Sequence, residues 1–555
     1  MDVDLLVVGS GAGGLAAALV GADDGLSTLV VEKTEWLGGT TAYSAGTAWI
    51  PGHRYTADAA ADVAAARGYL DALVGDRAPG ELREAYLAHG PETIDHLARL
   101  GISFRHSASV VDYHPEVSGW GVGRALEPVP FDGRRLGVER FRRVRRPVPE
   151  FALFGGTLMI RRAEADQLLR LFDGSPRAAA LAARLGARWA LDRLRYPRGT
   201  RLTMGNGLVA ALYHQLVRRS GAVLFGAPAT ELITNGGRVV GAVVEHDGRT
   251  RRVAVRRGVV LAGGGFAASR ELRATYLPRP VAAHTRASDG ATGDSLALAR
   301  SVGGAVSSGV DDNAFWFPAS IGRRRDGSEA VFPHIWDRAK PGIVAVDSAG
   351  RRFVDESVSY HRFVRAMYAR SAIPAWLVLD ARTLARYGLG MVRPHAPGAS
   401  RRHHLRTGYL RGGATVRDLA AAIDVDPAGL ERTVAAANAA ASRGVDDEFG
   451  KGTSPYGRQY GDAVHRPNPN LGPIDEPPFY AIAVVPTPLA TALGLRIGTE
   501  AQVLDHTGEP IRGLYACGND AQSVTASEYP GAGCQVGAAL TFGHLAARHA
   551  AANAR

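Results

Sequence analysis

Asp4-Leu5-Leu6-Val7-Val8-Gly9-Ser10-Gly11-Ala12-Gly13-Gly14 is the stretch from which the fold can be read. Leu5 to Val8 is a short continuous apolar run, the pattern of a strand buried on both faces. Gly9, Gly11 and Gly14 then stand in the spacing GxGxxG, ahead of a helical stretch that starts at Leu15. The first glycine permits the tight turn, the second a close approach to a pyrophosphate, and the third close helix–strand packing. The helix N-terminus behind the turn offers N–H donors and the positive end of its dipole to phosphates. Ser27 to Val31 reads as a second strand ending in Glu32, 23 residues after Gly9, where a carboxylate can accept from ribose hydroxyls. A lone GxGxxG can be a structural turn; here strand, helix and acid make it a dinucleotide site.

The chain has 555 residues and 58.5 kDa, enough for two to four domain-sized units. Hydrophobic (46%) and charged (21%) fractions are those of a globular protein, which excludes a fibre or a disordered tail. No apolar run reaches the roughly 18–20 residues of a membrane span. No basic–apolar–cleavage-site leader precedes the first strand, so a cytoplasmic protein is expected. Two cysteines, Cys517 and Cys534, are too few for a disulfide framework or a zinc site, and no metal is expected.

The net charge of +11 is unevenly placed. Lysine occurs three times, and residues 134–201 hold 17 arginines against six acids, which accounts for the whole surplus. Within it, residues 178–196 read as amphipathic, with Leu181, Leu185, Trp189 and Leu194 among arginines. Such a segment is either a solvated excursion on an enzyme or a surface that seeks anionic lipid on the inner face of a membrane. Nucleic-acid binding is not expected, since no such motif accompanies it.

A further strand near residues 258–262 runs into Gly263-Gly264-Gly265, and a last one, residues 513–516, into Cys517-Gly518-Asn519. The tail, residues 537–551, is an Ala- and Leu-rich helix. Between about 285 and 480 the chain turns aromatic-rich and turn-rich. The expected fold is α/β: a discontinuous Rossmann-like domain (1–284 and 481–555) with an inserted α+β substrate domain (285–480). The cofactor reads as FAD rather than NAD: the turn opens the chain, small residues follow the acid (Gly38-Gly39-Thr40-Thr41), and a strand ending in Gly518 lies near the C-terminus. The residues assigned to the cofactor are Gly9, Gly11, Ala12, Gly13, Gly14, Glu32, Lys33, Gly39, Thr40, Thr41, Ser44, Gly46, Gly263, Gly518, Asn519 and Val536. No second GxGxxG follows a strand, so electrons are expected to leave to an external acceptor such as a quinone.

Several long stretches resemble the 3-ketosteroid Δ1-dehydrogenases, within the fumarate reductase-like flavoproteins: GGTTAYSAGTAWIPG (38–52), DYHPEVSGWGVGRALEPVPFDG (112–133), TMGNGLVAAL (203–212), GRRFVDESVSYHRFVRAMY (350–368), PNPNLGPIDEPPFYAI (467–482), and GLYACGNDAQSVTASEYPGAGCQVGAALTFGHLAARHA (513–550). The resemblance implies that Tyr529, in a YPGxG motif, donates to a 3-keto oxygen together with the Gly533 amide. It implies that Tyr360 removes a proton from carbon 2, that Tyr113 assists that base, and that flavin N5 takes a hydride from carbon 1. Chemically, two donors on a ketone oxygen stabilise a developing enolate, at about 3–4 kcal/mol per donor. A tyrosine base, with a reference pKa of about 10, needs a neighbour to share its charge. The chain departs from the family at Ala532, in TALGL (491–495), at Ser44-Ala45-Gly46-Thr47 and at His114, which bears on the substrate, a steroid-like or other cyclic ketone.

Rival readings attach to other residues. Arg352 could serve a fumarate reductase-like enzyme acting on a carboxylate, or simply pair with Glu356 at (i, i+4). Aromatic walls from Phe315-Trp316-Phe317-Pro318 and Trp336 favour a ring ketone. Cys534 reads as a buried small residue and His403-His404 as a solvated loop.

Overall fold

The computed structural model describes residues 1–171, 174–310, 312–324 and 326–553, and of Arg162 the backbone alone; Asp173, one of the six acids of the Arg-rich segment, lies outside. β1 (Asp2–Val8), α1 (Ala12–Asp23) and β2 (Thr28–Glu32) form the opening unit. β1 lies parallel to β2 on one side and to the strand Arg249–Leu261 on the other. The sheet they nucleate has eight strands, and its last two, Gln502–Leu504 and Pro510–Ala516, come from the far end of the chain. Leu5, Leu6 and Val7 are buried completely at its centre.

α1 is apolar all round, and Ala12 through Gly21 are buried, because it is sandwiched between this sheet and the C-terminal helix Cys534–Ala552. Glycines let the two backbones touch: a Cβ on Gly13 would stand 2.9 Å from the Ala539 carbonyl oxygen, and one on Gly543 2.4 Å from that of Gly13.

A second sheet of six strands lies within residues 314–491. Its long strand Phe479–Thr491 pairs with Ala314–Arg323 through residues 485–491 and with Ala375–Leu379 through residues 480–484. The boundary expected at 480/481 therefore falls inside the strand that holds this sheet together, and the chain rejoins the first sheet only after Thr491.

The Arg-rich segment is less solvated than its composition suggests. Its helices Arg162–Leu169 and Pro176–Arg193 form a small core of Leu158, Leu181 and Leu185, against which Trp189 packs. Arg145 and Arg198 are buried, the former against Asp289 at 2.8 Å. His404 is not in a loop: it lies buried on the helix Gly398–Arg406, its ring 5.3 Å from that of Tyr409. No helix among the described residues is long and apolar enough to cross a membrane.

Candidate active site

One cavity of ≈ 1030 Å³ runs from the glycine turn to a cluster of tyrosines. All sixteen residues assigned to the cofactor line it, and so do Tyr113, Tyr360, Tyr529 and Gly533. It lies at the top of the roughly 300–1,000 Å³ usual for one small ligand, as a site for a dinucleotide and a substrate together requires.

The dinucleotide end is built as its sequence dictates. Gly9 has φ +107, and a Cβ there would stand 2.3 Å from the Ala262 carbonyl oxygen. Gly11, at the N-cap of α1, has nothing closer than 3.8 Å to its missing Cβ, which leaves the room a pyrophosphate needs. The Ala12 amide donates to Thr41 Oγ1 at 3.1 Å, tying the small-residue loop to the turn. Glu32 lines the cavity, but its carboxylate also organises the chain: one oxygen accepts from Ser10 N and Oγ (3.1 and 2.6 Å), the other from Thr34 N and Oγ1 (2.9 and 2.8 Å). Asp520, missed in the sequence, accepts from the amides of Gly263 and Gly265 and fixes the glycine run beside Asn519. Open turn, a helix N-terminus whose N-cap glycine has no side chain to close it, and positioned acid fit FAD.

At the other end three phenols meet. The hydroxyls of Tyr113 and Tyr360 share a hydrogen bond of 3.0 Å. The ring of Tyr529 lies 5.1 Å from that of Tyr113, nearly parallel, and 5.2 Å from that of Tyr360, edge to face. Phe317 covers Tyr360 at 4.6 Å, and Phe315 supports Tyr529 at 5.6 Å. Phe317 and Trp336 line the cavity as expected, whereas Phe315 stands behind it and Trp316 is buried with its indole N–H on Asp312 at 3.0 Å. Burial holds all three phenols well above their ordinary pKa; at Tyr360 the neighbouring Tyr529 adds to this, and the Tyr113 hydroxyl opposes it.

Each tyrosine is anchored through its neighbours. Tyr360 opens the helix Tyr360–Ala369, capped by Ser359 Oγ, which accepts from Arg362 N at 3.4 Å. Asp112, buried before Tyr113, accepts from Trp49 Nε1 and Arg124 Nη1, both at 2.7 Å; burial pushes its carboxyl up to about 6, against the pull of Arg124. Glu528, before Tyr529, is held by Arg365 at 2.7 Å and Arg77 at 2.9 Å. His114 donates to the Tyr529 carbonyl at 3.2 Å, which gives this departure from the family pattern a structural role.

Gly533 is the N-cap of the 19-residue helix Cys534–Ala552, with φ +96. A Cβ there would stand 2.2 Å from the Thr47 carbonyl oxygen, so only glycine fits. Its own carbonyl accepts from Trp49 N and Gly537 N, while no described residue accepts from its N–H. The positive end of a long helix thus adjoins Tyr529, a feature that motif reading alone did not supply.

Arg352 lies elsewhere. It is buried in an ion cluster with Glu356 and Asp446, both at 2.9 Å, and does not line the cavity. Burial pushes the thiols of Cys517 and Cys534 far up, so neither is a nucleophile. Among the described residues no group of three or more His, Cys, Asp or Glu could hold a metal ion.

The chain matches the FAD binding domain family over residues 4–536. It is 36% identical to the 4-oxocyclohex-2-ene-1-carboxylate 5-dehydrogenase of Sinomonas cyclohexanicum, over 99% of this chain and 93% of that protein. It is 33% identical to the 3-oxosteroid 1-dehydrogenase of Mycolicibacterium smegmatis, over 100% of this chain and 98% of that one. The crystal structure of a 3-ketosteroid Δ1-dehydrogenase from Sterolibacterium denitrificans, in complex with 1,4-androstadiene-3,17-dione, superposes with a TM-score of 0.92 at 35% identity, covering 99% of both chains. With this fold, this glycine turn and these relatives, the chain belongs to the FAD-binding flavoproteins of the 3-ketosteroid Δ1-dehydrogenase family and is an FAD-dependent oxidoreductase.

Proposed function

We propose that the enzyme dehydrogenates a ring ketone of the 3-ketosteroid type, introducing a double bond between carbons 1 and 2. The observation that carries this reading is the hydrogen-bonded pair Tyr113–Tyr360 packed against Tyr529 in the cavity that begins at the dinucleotide turn. The Tyr529 hydroxyl and the Gly533 amide hold the keto oxygen, and the N-terminus of the helix Cys534–Ala552 favours the negative charge that develops there. Polarising the ketone acidifies carbon 2, and Tyr360 removes that proton while Tyr113 donates to the phenolate it becomes. FAD, when bound, supplies the two-electron acceptor that takes the carbon 1 hydride at N5. The apolar walls of Phe151, Leu168 and Phe317 exclude water from the proton transfer and suit a hydrophobic ring.

The test is anaerobic bleaching of the flavin by 3-ketosteroids, smaller cyclic ketones and succinate in turn. Bleaching by ketones with an α,β-unsaturated ketone as product is expected; bleaching by succinate alone would overturn the reading.

A second element concerns the mouth of the cavity. Phe154, Leu169 and Leu171, from the Arg-rich segment, line it and are exposed, Phe154 by 60%; Leu191 and Leu194, on the same segment, are 69% and 84% exposed. Exposed apolar side chains among surplus arginines suit an anionic lipid surface, from which an apolar substrate or a quinone acceptor would enter. On this reading the enzyme sits in the cytoplasm, against the membrane's inner face.

A further inference from the structure

The cations that line the cavity are satisfied by the protein, with one exception. Lys33 pairs with Asp294 at 2.6 Å, Arg161 with Glu164 at 3.1 Å, Arg393 donates to the Ala152 carbonyl at 3.1 Å, and Lys340 to that of Gly461 at 2.7 Å. Arg286 lines the same cavity, and among the described residues no acceptor lies within hydrogen-bond or ion-pair distance of its guanidinium. It stacks on Tyr43, 5.4 Å from the ring centroid. Arg145, which stacks on the same ring at 5.6 Å, has Asp289, Thr34 Oγ1 and the Tyr43 hydroxyl as partners. The neighbouring carboxylate, Glu150, is already taken by Arg324 at 2.6 and 3.1 Å.

The position is built. The Arg286 amide donates to the Pro488 carbonyl at 3.1 Å, and Thr285 Oγ1 donates to the same oxygen at 2.9 Å. Pro488 pairs across the second sheet with Trp316, whose neighbour Phe317 covers Tyr360. Arg286 thus hangs on the strand next to the one that carries the wall of the tyrosine cluster. On its far side Ser288 N donates to Thr40 Oγ1 at 2.9 Å, in the cofactor loop. Burial depresses the guanidinium's pKa, and Glu150 and Tyr43 offset this only in part. A guanidinium stacked in place and short of acceptors is a fork waiting for a planar anion.

We propose that Arg286 is the anchor for a carboxylate on the substrate, so that the enzyme takes a ring ketone that is also an acid. This rests on the ring-ketone reading: Tyr529 and Gly533 hold the ketone, and Arg286 holds the acid at another point of the same cavity. Its tyrosine stack fixes the plane of the fork, which a lysine could not do.

The test uses the holoenzyme with 4-oxocyclohexanecarboxylate and its methyl ester, which differ in charge and by one methyl group. Binding is read as the dissociation constant from perturbation of the flavin spectrum, which needs no turnover. The acid is expected to bind the wild type at least roughly tenfold more tightly than the ester. Arg286→Gln abolishes that difference with flavin content unchanged, and Arg286→Lys restores part of it. Equal binding of acid and ester to the wild type overturns the proposal. So does an equal loosening of both in Arg286→Gln, which makes the residue structural, or a loss of FAD, which makes it a cofactor ligand. Bleaching by neutral ketones with no acid preference would defeat this proposal and leave the ring-ketone reading standing; bleaching by neither, with tight acid binding, would do the reverse.

Discussion

The backbone amide of Tyr113 donates to the carbonyl of Pro530 at 2.9 Å. The Tyr69 hydroxyl donates to the same carbonyl at 2.8 Å, and the His114 amide to the Tyr69 hydroxyl at 3.2 Å. Two segments some four hundred residues apart are thus stitched main chain to main chain, and Tyr113 and Tyr529 face each other because of it. Side-chain changes at the tyrosines therefore leave the scaffold in place, which makes them informative.

On the proposed mechanism, Tyr360→Phe removes the group that takes the carbon 2 proton and leaves the ketone's two donors. FAD content and the spectral response to a bound ketone are expected to persist, while flavin reduction slows by about 10²–10⁴-fold. Tyr529→Phe removes a donor instead, and weakens both ketone binding and reduction. Stopped-flow reduction of both variants checks this, and wild-type reduction by Tyr360→Phe would exclude it as the base.

Tyr113→Phe acts through pH. Burial raises the Tyr360 pKa and the Tyr113 hydroxyl lowers it, so its loss leaves the burial unopposed. The limb of the pH–rate profile that reports the base is expected to move to higher pH, with a smaller loss at its plateau than in Tyr360→Phe. An unmoved limb would show that Tyr113 does not support the phenolate.

Arg352 is expected to matter for stability. Burial alone would raise the Glu356 carboxyl, but Arg352 and Lys451 overcome it and hold it at about 2. The unfolded chain binds that proton near pH 4.5, so the group's contribution is full above that value and is lost as pH falls toward 2. Glu356→Gln is expected to flatten the acid limb of a urea-denaturation series. Arg352→Gln leaves buried carboxylates uncompensated and costs about 3–5 kcal/mol. Protein of that variant folded at low temperature is expected to keep its flavin reduction.

The Arg-rich mouth predicts co-sedimentation with anionic vesicles above that with neutral ones at low salt, falling as salt is added. Leu191→Ser with Leu194→Ser is expected to reduce it. Equal pelleting on both lipids would leave the segment as a wall of the cavity only.

What could be read from the sequence was what local chemistry encodes. The turn from Gly9 to Gly14, Glu32 and the YPGAG segment carry their meaning within a few residues. The boundary at 480/481 follows a change of texture along the chain, whereas the strand Phe479–Thr491 runs straight through it, with Pro486 and Pro488 inside. They are tolerated because the neighbour Ala375–Leu379 covers only residues 480–484. The excursion's part in the cavity was out of reach because composition counts arginines without showing which are buried, and only the folded chain turns its leucines toward the cavity. Arg286 was invisible because lacking a partner is a property of space.

The packing of α1 against the last helix has a temporal consequence. Gly543, which lets that helix settle on Gly13, lies 530 residues further along the chain, so this contact closes only once both have been synthesised. Until then Gly533 caps no docked helix, and the cradle around the first glycine turn lacks a side. A chain truncated before Gly543 is therefore expected to lose its FAD, because one wall of the dinucleotide cradle goes with the helix.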